Sequence, residues 1–177
     1  MKIIEELLPG CFLLQPNRFN DHRGKFIKTF HEDLFLDLGL AFDVREEFYS
    51  VSHRNVIRGM HFQMPPYAHD KLVFCANGVV LDVLLDLRVG GNYGGMASVK
   101  LSAENNHMIF IPKGIAHGFA ALTEDALMLY KTSTVYVAEA DFGVRWDSFG
   151  FEWDIDQPII SERDRLHKMF GEFQSPF

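Results

Sequence analysis

Cysteine is scarce in this chain. Cys11 and Cys75 are the only two among 177 residues, far apart and in no CxxC pair, so the expectation is two free, buried thiols. Positive charge is also in short supply: 17 Lys and Arg stand against 24 Asp and Glu, a net charge of −7. That balance argues against a general nucleic-acid role, since phosphate backbones favour a basic surface. A local basic patch could still hold a small phosphorylated ligand. No apolar run is long enough to span a membrane, and Lys2 is followed by Glu5 and Glu6 rather than by an apolar leader. The expected compartment is therefore the cytoplasm, with no membrane partner. Repeats, low-complexity segments and Pro/Ser-rich linkers are absent, so residues 1–177 read as one domain. No GxGxxG follows a strand, which removes the usual dinucleotide signature.

What is abundant is phenylalanine, 17 residues, which implies a core or a ligand cavity walled by rings. Short strand-like runs recur between turn residues. They cover Ile3 to Pro16, Lys25 to Phe30, Glu47 to Ser52, Val56 to Gln63, Lys71 to Ala76 and Val79 to Arg88. Ala97 to Ser102, Met108 to Ile111, Gly118 to Leu122 and Ala126 to Val135 complete the set. Asn77-Gly78 predicts a hairpin between two of these runs. A helix is expected over His31 to Leu38, ended by Gly39, and one short helix after Pro158. Such a series predicts an all-β, double-sheet jelly roll with a few short helices. The apolar run Val79 to Leu87 is compatible with a buried interface between copies.

Arg58, His61 and Lys71 fall within what reads as one hairpin. A base beside an ammonium group suits proton abstraction next to a carbonyl, where the cation stabilises the oxyanion. Regular alternation puts His61 and Gln63 on one face and Arg58 on the other, so Arg58 joins them only through a bulge or from the rim. Lys71 reads either as an edge lysine reaching for water or as a cation near a developing enolate. Tyr130 is a buried hydroxyl or a general acid opposite a histidine. Asp164, in an expected loop, is a solvated carboxylate or the partner that fixes a histidine tautomer. His117, in Pro112-Lys113-Gly114-Ile115-Ala116-His117-Gly118, braces a turn or resembles the second metal motif of cupins. The earlier strand carries His61-Phe62-Gln63 where a metal cupin needs two alternate histidines, and His69 is wrongly spaced to replace one. No metal is expected.

Taken together, these motifs resemble the nucleotide-sugar 3,5-epimerase family of the cupin superfamily. The match includes Asp21-x-Arg23-Gly24-x-Phe26, Ser50-x-Ser52 and Arg58-Gly59-x-His61-x-Gln63-x-Pro65-Pro66. It continues through Lys71-Leu72-Val73, Gly78-x-Val80-x-Asp82-Val83, Tyr130-Lys131, Tyr136, Gly143-x-Arg145-Trp146 and Ser161-x-x-Asp164. The resemblance implies a cupin jelly roll without metal or cofactor, working as a homodimer whose N-terminal strands help form the neighbour's pocket. It implies epimerisation of a nucleotide-diphosphate sugar carrying a 4-keto group, with dTDP-4-dehydro-6-deoxyglucose as the foremost substrate. By position, His61 is the base, Asp164 its partner, Lys71 the enolate cation and Tyr130 the acid. Arg23 and Arg58 are expected at the diphosphate, and His117 and Tyr136 in the sugar pocket. Phe26, Glu46, Phe48 and Arg145 belong to segments expected to frame the ligand.

The chain departs from the family pattern at Lys28, Glu46, Phe48 and His69. Phe48 replaces an amide that would hydrogen-bond sugar or base, and Lys28 and Glu46 are expected as a mutual pair. A CDP- or GDP-linked sugar, or inversion of a single carbon, is the variant these changes suggest. Other readings are a ketoisomerase, a metal-dependent cupin and a non-catalytic sugar-nucleotide-binding cupin.

Overall fold

Alternating apolar residues make strands here, and the strands make two sheets. The computed structural model describes residues 1–177. The first sheet has the order β1 (Lys2–Leu8), β2 (Cys11–Gln15), β10 (Met108–Ile111), β7 (Lys71–Asn77), β12 (Ala126–Thr132), β5 (Glu46–Ser52). The second runs β13 (Asp141–Gly143), β6 (Val56–Gln63), β11 (Ile115–Ala121), β8 (Val79–Asp86), β9 (Met96–Ser102), with β14 (Ile159–Ile160) parallel to β6. β3 (Asn17–Asp21) and β4 (Gly24–Lys28) form a separate two-stranded arm. Two short helices, α1 (Glu32–Asp37) and α2 (Glu162–Arg165), complete an all-β jelly roll of the cupin type.

The sheets pack face to face through one apolar layer. Val73, Ile109 and Met128 from the first sheet meet Val80, Leu84 and Phe119 from the second, all fully or nearly fully buried. Both outer faces are covered as well. α1 and the segment after it lay Phe35, Leu40 and Phe42 on Leu14, Leu72 and Phe110. Phe149, Trp153, Phe173 and Phe177 cover Val83, Leu85 and Leu87. The apolar outer face of β8 is thus covered by the chain's own C-terminal segment, not left for a second copy. Most phenylalanines likewise serve these outer layers. Burial of this extent is the main force holding the sheets together.

Local turn chemistry misleads at Asn77-Gly78. Gly78 takes a positive φ of 78° there, as the dipeptide suggests. Yet β7 pairs with β10 and β12, whereas β8 pairs with β11 and β9. The turn passes the chain between sheets instead of closing a hairpin. β6 and β7 are also in different sheets, so His61 and Lys71 face each other across the sandwich.

A bulge in β6 decides which side chains enter the interior. His117 is registered with His61 and Phe119 with Arg58, so three steps on β6 match two on β11. The extra residue carries both Arg58 and His61 inward, while Ile57, Met60 and Phe62 point to the outer core. Gly59 is required at this point: its φ is +151°, and a Cβ there would lie 2.7 Å from Gly118 Cα.

Candidate active site

Between the sheets, toward the β5 and β13 edges, lies a cavity of about 280 Å³. Its walls are β5 (Glu46, Phe48, Ser50), β6 (Arg58, His61, Gln63), β7 (Lys71), β11 (His117, Phe119) and β12 (Tyr130, Thr132). Asp141, Arg163, His69 and Tyr136 close the mouth.

His61 and Asp164 form a dyad. His61 Nε2 and Asp164 Oδ1 are 2.8 Å apart. Asp164 lies in α2, not in a loop, and its backbone N–H donates to the Ser161 hydroxyl at 3.1 Å. Its second oxygen accepts the Gly59 N–H at 3.2 Å, so the bulge that turns His61 inward also ties down its partner. Burial alone would raise the Asp164 carboxyl, but the His167 and His61 rings and the Gly59 N–H outweigh it and hold it far below the usual carboxylate range. Burial pushes His61 below its ordinary 6.5, against the opposing pull of Asp164. At neutral pH the pair is an anion behind a neutral imidazole. His61 Nδ1 has no protein partner and is left to take a proton.

Opposite the dyad stands the first sheet. Lys71 is 8% exposed on a central strand, and its Nζ donates to the His61 carbonyl at 3.0 Å. It is no edge lysine reaching for water. Burial lowers its pKa to about 8, with Asp141 and Asp82 limiting the fall. Tyr130 is 8% exposed, and its hydroxyl lies 3.3 Å from Ser50 Oγ. Burial raises it well above 10, so it remains a proton donor. A second buried pair joins His117 Nε2 to Asp82 Oδ2 at 2.8 Å, which orients His117 beside the Tyr130 ring rather than at a turn. A neutral base, a cation and a phenol thus surround one space from two sides, an arrangement able to form an enolate and reprotonate it on its other face.

Not every residue singled out from the sequence comes here. Arg23 and Phe26 lie on the β3–β4 arm, outside the cavity. Arg23 is exposed and pairs with Asp21 at 2.6 Å, and Phe26 is 61% exposed. Arg145 pairs with Asp147 at 2.7 Å beside Trp146, also outside it. Glu46 does line the cavity, but its Oε2 accepts the Tyr136 N–H at 2.7 Å and does not pair with Lys28. Phe48 stacks flat on Tyr130, centroids 4.7 Å apart. His69 faces Gln63 and Thr134, and burial lowers its pKa to about 3, keeping it neutral. Three residues went unnoticed in the sequence: Asp141, the Arg163 that pairs with it, and His167 behind the dyad. His167 carried one signal, its spacing of three residues from Asp164.

The profile of dTDP-4-dehydrorhamnose 3,5-epimerases matches residues 5–172. The chain belongs to this family. It is 40% identical over 169 residues to the dTDP-4-dehydrorhamnose 3,5-epimerase of Escherichia coli K12, covering 93% of this chain and 91% of that protein. The crystal structure of the Bacillus anthracis epimerase, with TDP and PPi bound, superposes at a TM-score of 0.92 with 33% identity, over 95% of this chain and 98% of the other. A Legionella pneumophila epimerase in complex with dTDP-4-keto-L-rhamnose gives 0.92 at 29% identity, over 98% and 94%. Epimerases of this family are isomerases, and the cavity described above lies in a fold shared with ligand-bound relatives. No helix of this family member is long and apolar enough to cross a membrane.

Proposed function

We propose that this protein converts dTDP-4-dehydro-6-deoxy-D-glucose to dTDP-4-dehydro-L-rhamnose by inverting C3 and C5. The observation that carries this reading is the His61–Asp164 dyad on one sheet facing Lys71 and Tyr130 on the other. Neutral His61 removes the proton next to the C4 ketone. The electron pair moves onto the ketone oxygen, where the Lys71 ammonium stabilises it. Tyr130 delivers a proton from the opposite side, and solvent then restores His61 and Tyr130 to their starting forms. Relatives named for the same reaction and a dTDP-sugar complex in a neighbouring structure support the substrate class. Arg58 stands at the cavity rim, with its Nε donating to Ser52 at 3.0 Å, and suits the diphosphate.

Deuterium wash-in followed by NMR tests the reaction. With dTDP-4-dehydro-6-deoxyglucose in D2O, label is expected at both C3 and C5. The Phe48 ring pressed on Tyr130 favours a second reading, in which the acid is held for one carbon only. Label at a single carbon would establish that version. Tyr130→Phe is expected to lose product by about 100-fold while the first exchange persists, because only reprotonation on the far face needs the phenol. Full epimerisation by that variant would remove Tyr130 from its role.

The homodimer belongs to the same proposal. The arm exposes Phe19 (60%) and Phe26 (61%), while the edge strand β5 exposes Tyr49 (66%) and Val51 (48%) beside the cavity mouth. Exposed apolar edges of this kind are ordinarily covered. A partner's arm laid on β5 would bring Arg23 to the diphosphate. Sedimentation is then expected to give twice the 20.3 kDa chain mass. Arg23→Ala should weaken dTDP binding roughly tenfold through one lost charged hydrogen bond. A monomer, or unchanged affinity in that variant, would refute the arrangement. Cys11 and Cys75, both buried free thiols, support a reducing compartment such as the cytoplasm. The cavity drawing on both sheets supports residues 1–177 acting as one domain.

A further inference from the structure

Behind the dyad lies a second imidazole that the reaction above does not use. His167 follows Asp164 by one turn, and 13% of its side chain is exposed. Its Nε2 is buried and bonds to nothing, although buried ring nitrogens are normally paired. That atom is 3.7 Å from Asp164 Oδ1, the oxygen that also meets His61 Nε2. The two rings lie edge to face, centroids 5.8 Å apart. Gly143, registered opposite His61 in the β13–β6 pair, makes the room: a Cβ there would fall 2.5 Å from the ring's Cδ2 and Nε2.

We propose that His167 is a positioning residue, a second imidazole that shares Asp164 Oδ1 with His61 and holds that carboxylate in register. The proposal rests on the reading of His61 as base. A shift of about 1 Å brings Nε2 to hydrogen-bonding distance of the oxygen. With two rings on one oxygen, Asp164 supports the charged form of His61 less, which keeps His61 a weaker base and easier to discharge. His167 does not line the cavity and so acts through Asp164 alone. The charged and titratable groups around it are Asp164 and Arg163 on α2, the helix just before it, and His61 on β6. Lys71 stands across the cavity on β7, while on β13 Asp141 is paired with Arg163 and Gly143 brings no charge. The same three ring and carboxylate atoms lie within 4.8 Å of one another, as a metal would need. Arg163 Nε, 3.5 Å from the shared oxygen, opposes a cation there and favours the positioning role.

Steady-state kinetics and pH profiles of His167→Ala, His167→Gln and His61→Asn test this. His167→Ala is expected to lose about 10- to 100-fold in kcat through a misplaced carboxylate. Its KM should stay within about twofold, since ground-state binding is untouched. Its acid limb should move to higher pH, because Asp164 then serves His61 alone. His167→Gln retains an amide donor and should recover part of the rate. Unchanged dTDP affinity in both variants reports an intact fold. Parental kcat and acid limb in both His167 variants, beside an inactive His61→Asn, overturn the role of His167 and leave the base in place. Parental turnover by His61→Asn overturns both.

Discussion

Asparagine at position 61 is expected to lower turnover by about 1,000-fold, the range a general base contributes. It should leave dTDP affinity within about twofold. Asparagine can hydrogen-bond to Asp164, so the carboxylate keeps a partner and the fold is not asked to bury a lone charge. What it cannot do is accept a proton at neutral pH. Deuterium wash-in at both carbons should vanish with turnover, because abstraction precedes everything else. Asp164→Asn should cost a comparable factor, since it removes the anion that orients the ring and supports the imidazolium. In that variant the acid limb should shift to lower pH, because the pull that opposes burial at His61 is lost. The double variant should be little worse than either single one, as expected of two residues acting as a unit. Retained exchange in His61→Asn, with its dTDP affinity intact, would leave the cavity without its base.

The strands were legible because alternation survives in the sequence even where both faces are buried, as in β8. Their pairing was not. Asn77-Gly78 has the chemistry of a hairpin, but a two-residue turn does not specify whether the next strand returns to the same sheet. The face of Arg58 was unreadable for a related reason: a period of two assumes a regular strand, and the bulge at Gly59 breaks it. A glycine inside a strand was the available sign. His61, Lys71, Tyr130 and Asp164 were found through their motifs, and the fold brings all four together. Arg23, Phe26 and Arg145 share those motifs yet lie outside the cavity, because motif spacing says which residues recur together and not which of them reach one pocket. Asp141, Arg163 and His167 gain meaning only once the C-terminal segment folds back over β6.

Methionine in place of Lys71 is expected to lower wash-in and turnover alike by about 100- to 1,000-fold, the cost of losing a donor aimed at a developing oxyanion. The apolar chain of methionine suits a site buried this deeply, so the loss falls on charge more than on packing. The parent's pH profile carries the same information. Burial brings the Lys71 pKa from its ordinary 10.5 to about 8, so the ammonium is present below that pH and is lost as pH rises through it. Activity should therefore climb through a limb below 6.5, set by His61, and fall through a second limb near 8. Tyr130 does not supply the second limb, because burial keeps its hydroxyl protonated well beyond 10. Cys75, raised to about 11, does not supply it either. Lys71→Arg tests the assignment directly. Its guanidinium stays charged throughout, so some activity should survive and the limb near 8 should disappear. A flat parental profile across that range, or a fall in Lys71→Met of less than about fivefold, would mean that the enolate is stabilised by something other than this ammonium. Of the other donors facing the cavity, Tyr130 and His69 are neutral at that pH, His117 is paired with Asp82 and Arg163 with Asp141, and Arg58 bonds to Ser52 at the rim on the second sheet, so none replaces the ammonium on the first sheet.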